Sequence, residues 1–363
     1  MHHTTMPTLT IDTLTAQLPI IQGGMGVGVS LSGLSSAVAK QGCIGVIATA
    51  GIGMMEPDFM TNLKEANHRA LIREVKTAKK TSNGIIGVNI MIALTDHASL
   101  LDAALEAGAD LIFMSAGLPL KIPRMLADFG RKDAFRRIVP VVSSARAADV
   151  ILRSWAKFDA VPGAFVVEGP LAGGHLGFKK DQIADPQYAL ENLVPDVLSV
   201  VNAVAERYSQ PIPVIAAGGI YTGTDIRNTL QMGVSGVQMA TRFVATHECD
   251  ADIRFKEAYV KAGKEDLVII DSPVGLPGRA LRNRFLEDVT KGEKHPVTCP
   301  WKCLRTCDFK NAPYCIGLAL TNAKQGNIDQ GFVFSGANSW RVESIVSVKD
   351  LIDGLKNEYA QNA

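Results

Sequence analysis

The sequence predicts an α/β fold, a (β/α)8 barrel of the TIM type with a smaller C-terminal lid subdomain. Over the first two-thirds of the chain, short β-branched apolar runs alternate with amphipathic stretches of helical period. Continuous apolar strands separated by helices indicate a parallel sheet covered on both faces. Eight such units in roughly 250 residues match the size of a closed barrel. An open doubly wound sheet would show the same alternation and is the alternative.

The eight strand candidates are short and apolar. They are Pro19–Gly24, Ile44–Ala50, Ile85–Met91, Leu111–Gly117, Ile138–Ser144, Ala164–Gly169, Pro213–Gly219 and Gly236–Phe243. The helix candidates have apolar residues at helical spacing, and several end in Gly or Asn, as helix C-caps do. They are Leu31–Gln41, His97–Ala107, Ala145–Phe158, Pro195–Ser209, Thr224–Met232 and Ala251–Ala262.

The alternation stops beyond Glu248. The tail contains a Pro- and Gly-rich stretch, Ser272–Arg279, a cysteine-rich segment, and a final amphipathic helix, Val348–Lys356. We expect residues 1–247 and 331–363 to form the barrel. Residues 248–330 lack the repeated strands of an independent domain, so we expect them to form the lid.

Charge and hydropathy exclude several function classes. The 363 residues contain 37 Lys and Arg against 36 Asp and Glu, a net charge of +1. Such a balance gives no general attraction to nucleic acid or to anionic membranes. No apolar run is long enough to span a bilayer, and the N-terminus lacks the features of a secretory signal. We therefore expect a cytoplasmic protein with a small-molecule substrate, no nucleic-acid or membrane partner, and a homodimer as its assembly if it is not monomeric.

Four of the six cysteines crowd into one short segment of the predicted lid: Cys299, Cys303, Cys307 and Cys315. The first three would share one face if the segment were helical, although Pro300 could only begin that helix. Clustered thiolates hold zinc or iron–sulfur clusters, but this spacing matches neither the usual zinc-finger pairs nor the ferredoxin runs. Reduced buried thiols and a disulfide are the alternatives, so the identity of any metal stays unknown.

The loops after strands seven and eight carry the clearest phosphate signal. In barrels of this class, ligands bind at the C-terminal ends of the strands, and phosphate commonly lies at these two loops. Gly218 and Gly219 would let backbone N–H groups approach an anion, with Ala240 and Thr241 beside them. The pair Thr224-Asp225 could cap a helix whose dipole points at the anion. The alternative is a tight strand-to-helix turn without a ligand.

The ends of strands one and three suggest a flat heteroaromatic cofactor. Gln22 is followed by Gly23, Gly24 and Met25, and Asn89 lies within a buried strand. Amides can bond the edge of a heterocycle, while glycines allow close approach to its face. The alternative is that Gln22 and Asn89 cap turns.

His175 is the main acid–base candidate at the barrel mouth. It follows Gly173 and Gly174 after strand six, and histidine exchanges a proton near neutral pH. An ordinary turn histidine is the alternative. Glu168 at the end of strand six is either a second acid–base group or one partner of a structural ion pair.

Six motifs occur in an order that is specific in combination. They are Pro19-Ile-Ile-Gln-Gly-Gly-Met25, Gly87-Val-Asn89, Gly173-Gly-His-Leu-Gly177, Pro213-Val-Ile-Ala-Ala-Gly-Gly-Ile220, Gly236-Val-Gln-Met-Ala-Thr-Arg-Phe243 and Ser272-Pro-Val-Gly-Leu-Pro-Gly-Arg279. With them the chain resembles the nitronate monooxygenases, formerly 2-nitropropane dioxygenases, and the similar type II enoyl-acyl-carrier-protein reductases. The resemblance implies non-covalent FMN in a barrel, and His175 as the catalytic acid–base group. The residues it would place against FMN are Gly24, Met25, Asn89, Gly174, Gly218, Gly219, Gln238, Met239 and Thr241; the loop readings above add Gly23, Gly173 and Ala240.

Two departures from the family pattern bear on the substrate. Leu171 stands where members usually carry an acidic residue, and Ser143-Ser144 stands where many carry a lysine. The expected activity is oxidation of alkyl nitronates with O2. The alternatives are an NAD(P)H-dependent enoyl-acyl-carrier-protein reductase acting on an enoyl thioester, and an FMN-free lyase or isomerase acting on a phosphorylated metabolite.

Overall fold

The computed structural model describes residues 5–295 and 297–361, and its largest sheet contains eight parallel strands. In chain order these barrel strands are Ile20–Gln22, Gly45–Ala48, Ile86–Met91, Leu111–Ser115, Ile138–Val142, Phe165–Glu168, Val214–Ala217 and Gly236–Met239. The first strand pairs with the eighth, and Ile44 exchanges two backbone hydrogen bonds with the first strand, which closes the ring. All eight predicted strands and the barrel are confirmed, and the open sheet is excluded.

Helices surround the barrel and continue into the tail. They are Ser32–Lys40, Phe59–Thr81, His97–Glu106, Ile122–Asp128, Ala145–Ala156, Leu190–Tyr208, Gly223–Gln231, Thr241–Val244, Ile253–Lys261, Arg284–Thr290, Ile316–Lys324 and Val348–Gln361. Every predicted helix is present, with ends shifted by a few residues. Among the described helices, none combines the length and the apolar character that a membrane crossing requires.

The barrel interior is apolar below its mouth. Inward side chains from the strands, including Val46, Phe113 and Ile215, form one buried cluster. A hairpin of two strands, Leu9–Ile11 and Leu14–Ala16, closes the bottom of the barrel and buries Leu9 in the same cluster. Side chains alternate along a strand, so the next inward residue at each C-terminal end lies above this cluster, at the mouth.

A three-stranded antiparallel sheet lies on the loop after the sixth strand. The hairpin Leu267–Asp271 and Pro277–Leu281 pairs with the short strand Gly174–His175, in the register Gly278 to His175. The elements of the tail also connect with the barrel. Tyr259 in the helix Ile253–Lys261 packs in a barrel-side cluster, and the N–H of Leu281 donates to the carbonyl of Val333.

Candidate functional site

The mouth of the barrel is lined by polar side chains on the inward-facing ends of the strands. Ser115 and Glu168 come two residues after the inward-facing Phe113 and Val166. Asn89 and Gln238 come two residues after Gly87 and Gly236, which also face the barrel interior. The Ser115 hydroxyl donates to Asn89 Oδ1 at 3.1 Å, which fixes the orientation of that amide. The Asn89 side-chain nitrogen is then the group that can donate to a ligand.

Gln22 does not reach the mouth. Ile21 points into the barrel, so Gln22 points outward and is fully buried. Its Oε1 accepts from the Val46 N–H at 2.9 Å, and its amide nitrogen donates to the Gly23 carbonyl at 2.5 Å. The role predicted for Gln22 at the edge of a cofactor is therefore wrong, since this amide joins the first two strands.

The glycines after the first strand bring backbone close to Asn89. A Cβ on Gly24 would lie 2.5 Å from the Asn89 Cβ, a distance that no substituted residue could keep. The Gly23 N–H donates to the Met239 carbonyl at 2.8 Å. The Met239 side chain is buried on the outer face of the strand, so only its main chain borders the mouth. Met25 is half-buried, and its N–H donates to Ser30 Oγ at 2.9 Å.

The loop after the seventh strand requires glycine. Gly218 and Gly219 have φ values of +96° and +85°, in the region that side chains disfavour. The following helix begins with a capping box, in which Thr222 Oγ1 accepts from the Asp225 N–H at 3.0 Å. The Asp225 carboxylate in turn accepts from the Thr222 N–H at 2.8 Å, so the N-cap is Thr222, two residues before the predicted Thr224-Asp225.

The segment 335–338 contacts the loops after the seventh and eighth strands and was missed by the sequence reasoning. Asn338 Nδ2 donates to the Gly219 carbonyl at 2.6 Å, and a Cβ on Gly336 would lie 2.5 Å from Thr241 Oγ1. The Ser335 hydroxyl is buried and has no hydrogen-bond partner among the described residues. A buried hydroxyl normally has a partner, so this orphaned group indicates a ligand position.

His175 lies in the small sheet rather than in a plain turn. Its Nε2 is 2.7 Å from Ser272 Oγ, and its ring meets the Phe334 ring edge-on at 5.0 Å. A Cβ on Gly173 would lie 2.6 Å from the carbonyl carbon of Ser335, which explains the small residue before His175. Burial lowers the pKa of His175 to about 4, so the imidazole is neutral at physiological pH.

Glu168 has an unusual environment for a carboxyl group. Burial raises its pKa to about 7, and no ion pair offsets this within residues 5–295 and 297–361. The ion-pair alternative is therefore excluded. A carboxyl group whose pKa is near the working pH can both accept and deliver a proton. The role of Glu168 as a second acid–base group at the mouth stays a prediction, and the raised pKa is consistent with it.

Arg279 ties the strand Pro277–Leu281 to the loop that carries His175. Its guanidinium is buried, and Nη1 donates to the carbonyls of Pro170 at 2.8 Å and Ala172 at 2.5 Å. These contacts join positions more than a hundred residues apart, so the sequence identified Arg279 only as part of a motif.

Comparisons with known proteins find similarity over nearly the whole chain. A model of the nitronate monooxygenase family matches residues 7–358. A (3aS,4S,5R,7aS)-5-hydroxy-7a-methyl-1-oxo-octahydro-1H-indene-4-carboxyl-CoA dehydrogenase of Mycobacterium tuberculosis is 28% identical over 76% of this chain and 66% of its own length. A probable nitronate monooxygenase of Staphylococcus aureus is 26% identical over 84% of this chain and 86% of its own.

Solved structures share the whole fold. FabK from Thermotoga maritima has a TM-score of 0.71 and 28% identity, over 95% of this chain and 93% of FabK. A nitroalkane oxidase from Streptomyces ansochromogenes has a TM-score of 0.70 and 21% identity, over 95% of this chain and 96% of that chain. The second likeness supports the fold alone.

Proposed function

Because the chain belongs to the nitronate monooxygenase family and is a flavin-dependent oxidoreductase, we propose that it binds FMN and oxidises alkyl nitronates with O2. Family membership sets aside the flavin-free lyase or isomerase. The observation that carries the proposal is the mouth itself, where a glycine-lined cradle lies on the same rim as a neutral imidazole and an unpaired carboxyl group.

The residues at the mouth fit FMN. Its phosphate would lie against Gly218, Gly219, Ala240 and Thr241, where the unpartnered Ser335 hydroxyl would donate to it. The ring would lie near residues that offer an amide or an exposed backbone; these are Gly23, Gly24, Met25, Asn89, Gly173, Gly174, Gln238 and the main chain of Met239. When bound, FMN supplies the electron acceptor.

His175 would accept the α-proton of a neutral nitroalkane. A nitronate has already lost this proton and needs no base. When the Nε2–H of His175 donates to Ser272 Oγ, the lone pair at Nδ1 is the basic position. Since the ring is neutral at physiological pH, this lone pair is free of a proton there.

Reduction of an enoyl thioester with NAD(P)H is the second candidate. It is favoured by the resemblance of the sequence motifs to type II enoyl-acyl-carrier-protein reductases, and by the M. tuberculosis relative, whose name describes a CoA thioester. Anaerobic flavin reduction, tested separately with propionate 3-nitronate, NADH and NADPH, decides between the two. Reduction by the nitronate alone supports the first candidate. Reduction by NADH or NADPH, together with faster consumption of that coenzyme when a crotonyl thioester is present, supports the second candidate.

Replacement of Gly336 with alanine tests the phosphate position. The added methyl group would lie 2.5 Å from Thr241 Oγ1 and would narrow the cradle without changing a strained backbone. We expect FMN to bind about tenfold more weakly, or worse, as overpacking costs of 1–3 kcal/mol imply. Titration of the apoprotein with FMN measures this.

The matched control is Gly354→Ala. A Cβ at Gly354 meets nothing within 4 Å, and the residue lies in the final helix. We expect this variant to bind FMN as the unchanged chain does. Equal affinity in both variants would show that the phosphate lies elsewhere.

We further propose that residues 248–330 act as the lid over the mouth. Arg279→Leu removes the bonds to the carbonyls of Pro170 and Ala172, each worth about 1–3 kcal/mol when a buried partner is left unsatisfied. Hydrogen–deuterium exchange in residues 170–177 should become faster. Arg282→Leu, at the exposed position just after the same strand, should leave this exchange unchanged. Unchanged exchange in Arg279→Leu would contradict the proposal.

A further inference from the structure

The four clustered cysteines of the tail surround one cavity. The cavity measures about 30 Å3 and is lined by all four of them: Cys299, Cys303, Cys307 and Cys315. None is in a disulfide. The segment is irregular rather than helical, so turns bring the thiols together instead of a shared helix face.

The thiols are held by contacts to the barrel and to a helix. The N–H of Thr95, in the loop after the third strand, donates to the Cys303 carbonyl at 3.0 Å. Trp301 Nε1 donates to the Phe59 carbonyl at 3.0 Å. Cys315 directly precedes the helix Ile316–Lys324, which fixes the position of its backbone.

The arrangement does not suit a single metal ion. A zinc ion bound at 2.3 Å by tetrahedral sulfurs requires them within roughly 4 Å of one another. In the described part of the chain, no three His, Cys, Asp or Glu side chains converge in a way that could hold one ion. The cavity between the sulfurs also exceeds the roughly 10–15 Å3 that one water needs. A larger inorganic group would fill this space.

The order of the cysteines along the chain is the next feature of this site. Three of them are evenly spaced in one short segment and the fourth follows at a distance. Because this spacing matches neither the zinc-finger pairs nor the ferredoxin runs, the cavity that all four cysteines share carries the assignment. Lys302 lines the cavity and offers positive charge beside an anionic cluster. We propose that Cys299, Cys303, Cys307 and Cys315 bind an iron–sulfur cluster that fastens the lid to the loop after the third strand.

Metal analysis of the full chain tests the proposal. Protein purified without oxygen, and reconstituted with ferrous iron and sulfide, should contain iron and acid-labile sulfide in equal amounts, about two or about four per chain. Reduction with dithionite should then give the electron paramagnetic resonance signal of a reduced cluster. Zinc in place of iron, or neither metal with four free thiols, would overturn the proposal. This outcome does not depend on the flavin reaction.

Substitutions locate the cluster. Cys303→Ala and Cys315→Ala should each lose most of the iron and sulfide, while Cys43→Ala, an isolated buried cysteine of the barrel, should retain both. Alkylation followed by mass spectrometry gives a second measurement on the unchanged chain. The four cysteines should be protected from iodoacetamide after reconstitution and labelled after chelation of the metal. Labelling of the four in both states would contradict the assignment.

Discussion

Replacement of His175 with asparagine should lower turnover of neutral nitroalkanes by roughly 10²- to 10⁴-fold, the usual cost of removing a general base. Turnover of the corresponding nitronates should fall much less, because their α-proton has already left. Asparagine can keep a hydrogen bond to Ser272, which is 2.7 Å from the imidazole in the unchanged chain. The measurement is kcat/KM for nitroethane and for ethyl nitronate, normalised to bound flavin.

The pH profile adds a second check on His175. Its pKa of about 4 means that the imidazole gains a proton, and can no longer accept one, only as the pH falls toward 4. Nitroalkane turnover should therefore show no loss from this group between about pH 5 and 8. A sharp fall below pH 6.5 would show that the ring titrates as an ordinary histidine.

The matched control for His175→Asn is His68→Asn, on the outer helix Phe59–Thr81. This variant should turn over both substrates normally. If the enzyme is instead an enoyl reductase, His175→Asn should spare flavin reduction by NAD(P)H and slow protonation of the reduced thioester. Small, equal losses on every substrate would show that His175 only holds the small sheet together.

The barrel could be predicted because each of its strands has a recognisable local sequence pattern. Strands buried on both faces are continuous apolar runs, and no other element of this chain has that pattern at regular intervals. The helix Phe59–Thr81 was missed because most of its residues are charged or polar. Its core contact is a narrow stripe that includes Ala66, Ala70 and Val75. Such a narrow apolar stripe gives only a weak helical signal in the sequence, and the helix is stabilised mainly by its packing against the barrel.

The site was predictable where backbone geometry demands a residue type. Gly218 and Gly219 adopt positive φ, so their identity reports their conformation. Contacts made by the tail were not predictable in this way. Ser335 and Asn338 reach the mouth only through the folded path of a chain that has no repeat there. The prediction for Gln22 was wrong because the sequence does not show which face of the strand a polar residue at its end occupies.

Replacement of Glu168 with glutamine should stabilise the flavin-free protein at high pH. In the folded protein the pKa of Glu168 is raised from 4.5 to about 7, so the folded state holds the proton more tightly than the unfolded state. Below about pH 4.5 both states are protonated and the carboxyl group has no effect. As the pH rises from there to 7 the wild type loses stability, by about 3 kcal/mol in total. The substitution removes that loss.

Denaturant unfolding of both proteins at pH 4.5 and pH 8 measures this difference. Glu206→Gln, an exposed substitution on the helix Leu190–Tyr208, serves as the control and should stay within about 0.5 kcal/mol of wild type at each pH. A stabilisation by Glu168→Gln that is equal at both values would show that water reaches the carboxyl group and that its pKa is ordinary. If the wild type is less stable than Glu168→Gln only at pH 8, the unpaired carboxyl group at the mouth destabilises the fold when it is ionised. Such destabilisation is typical of a group that takes part in proton transfer.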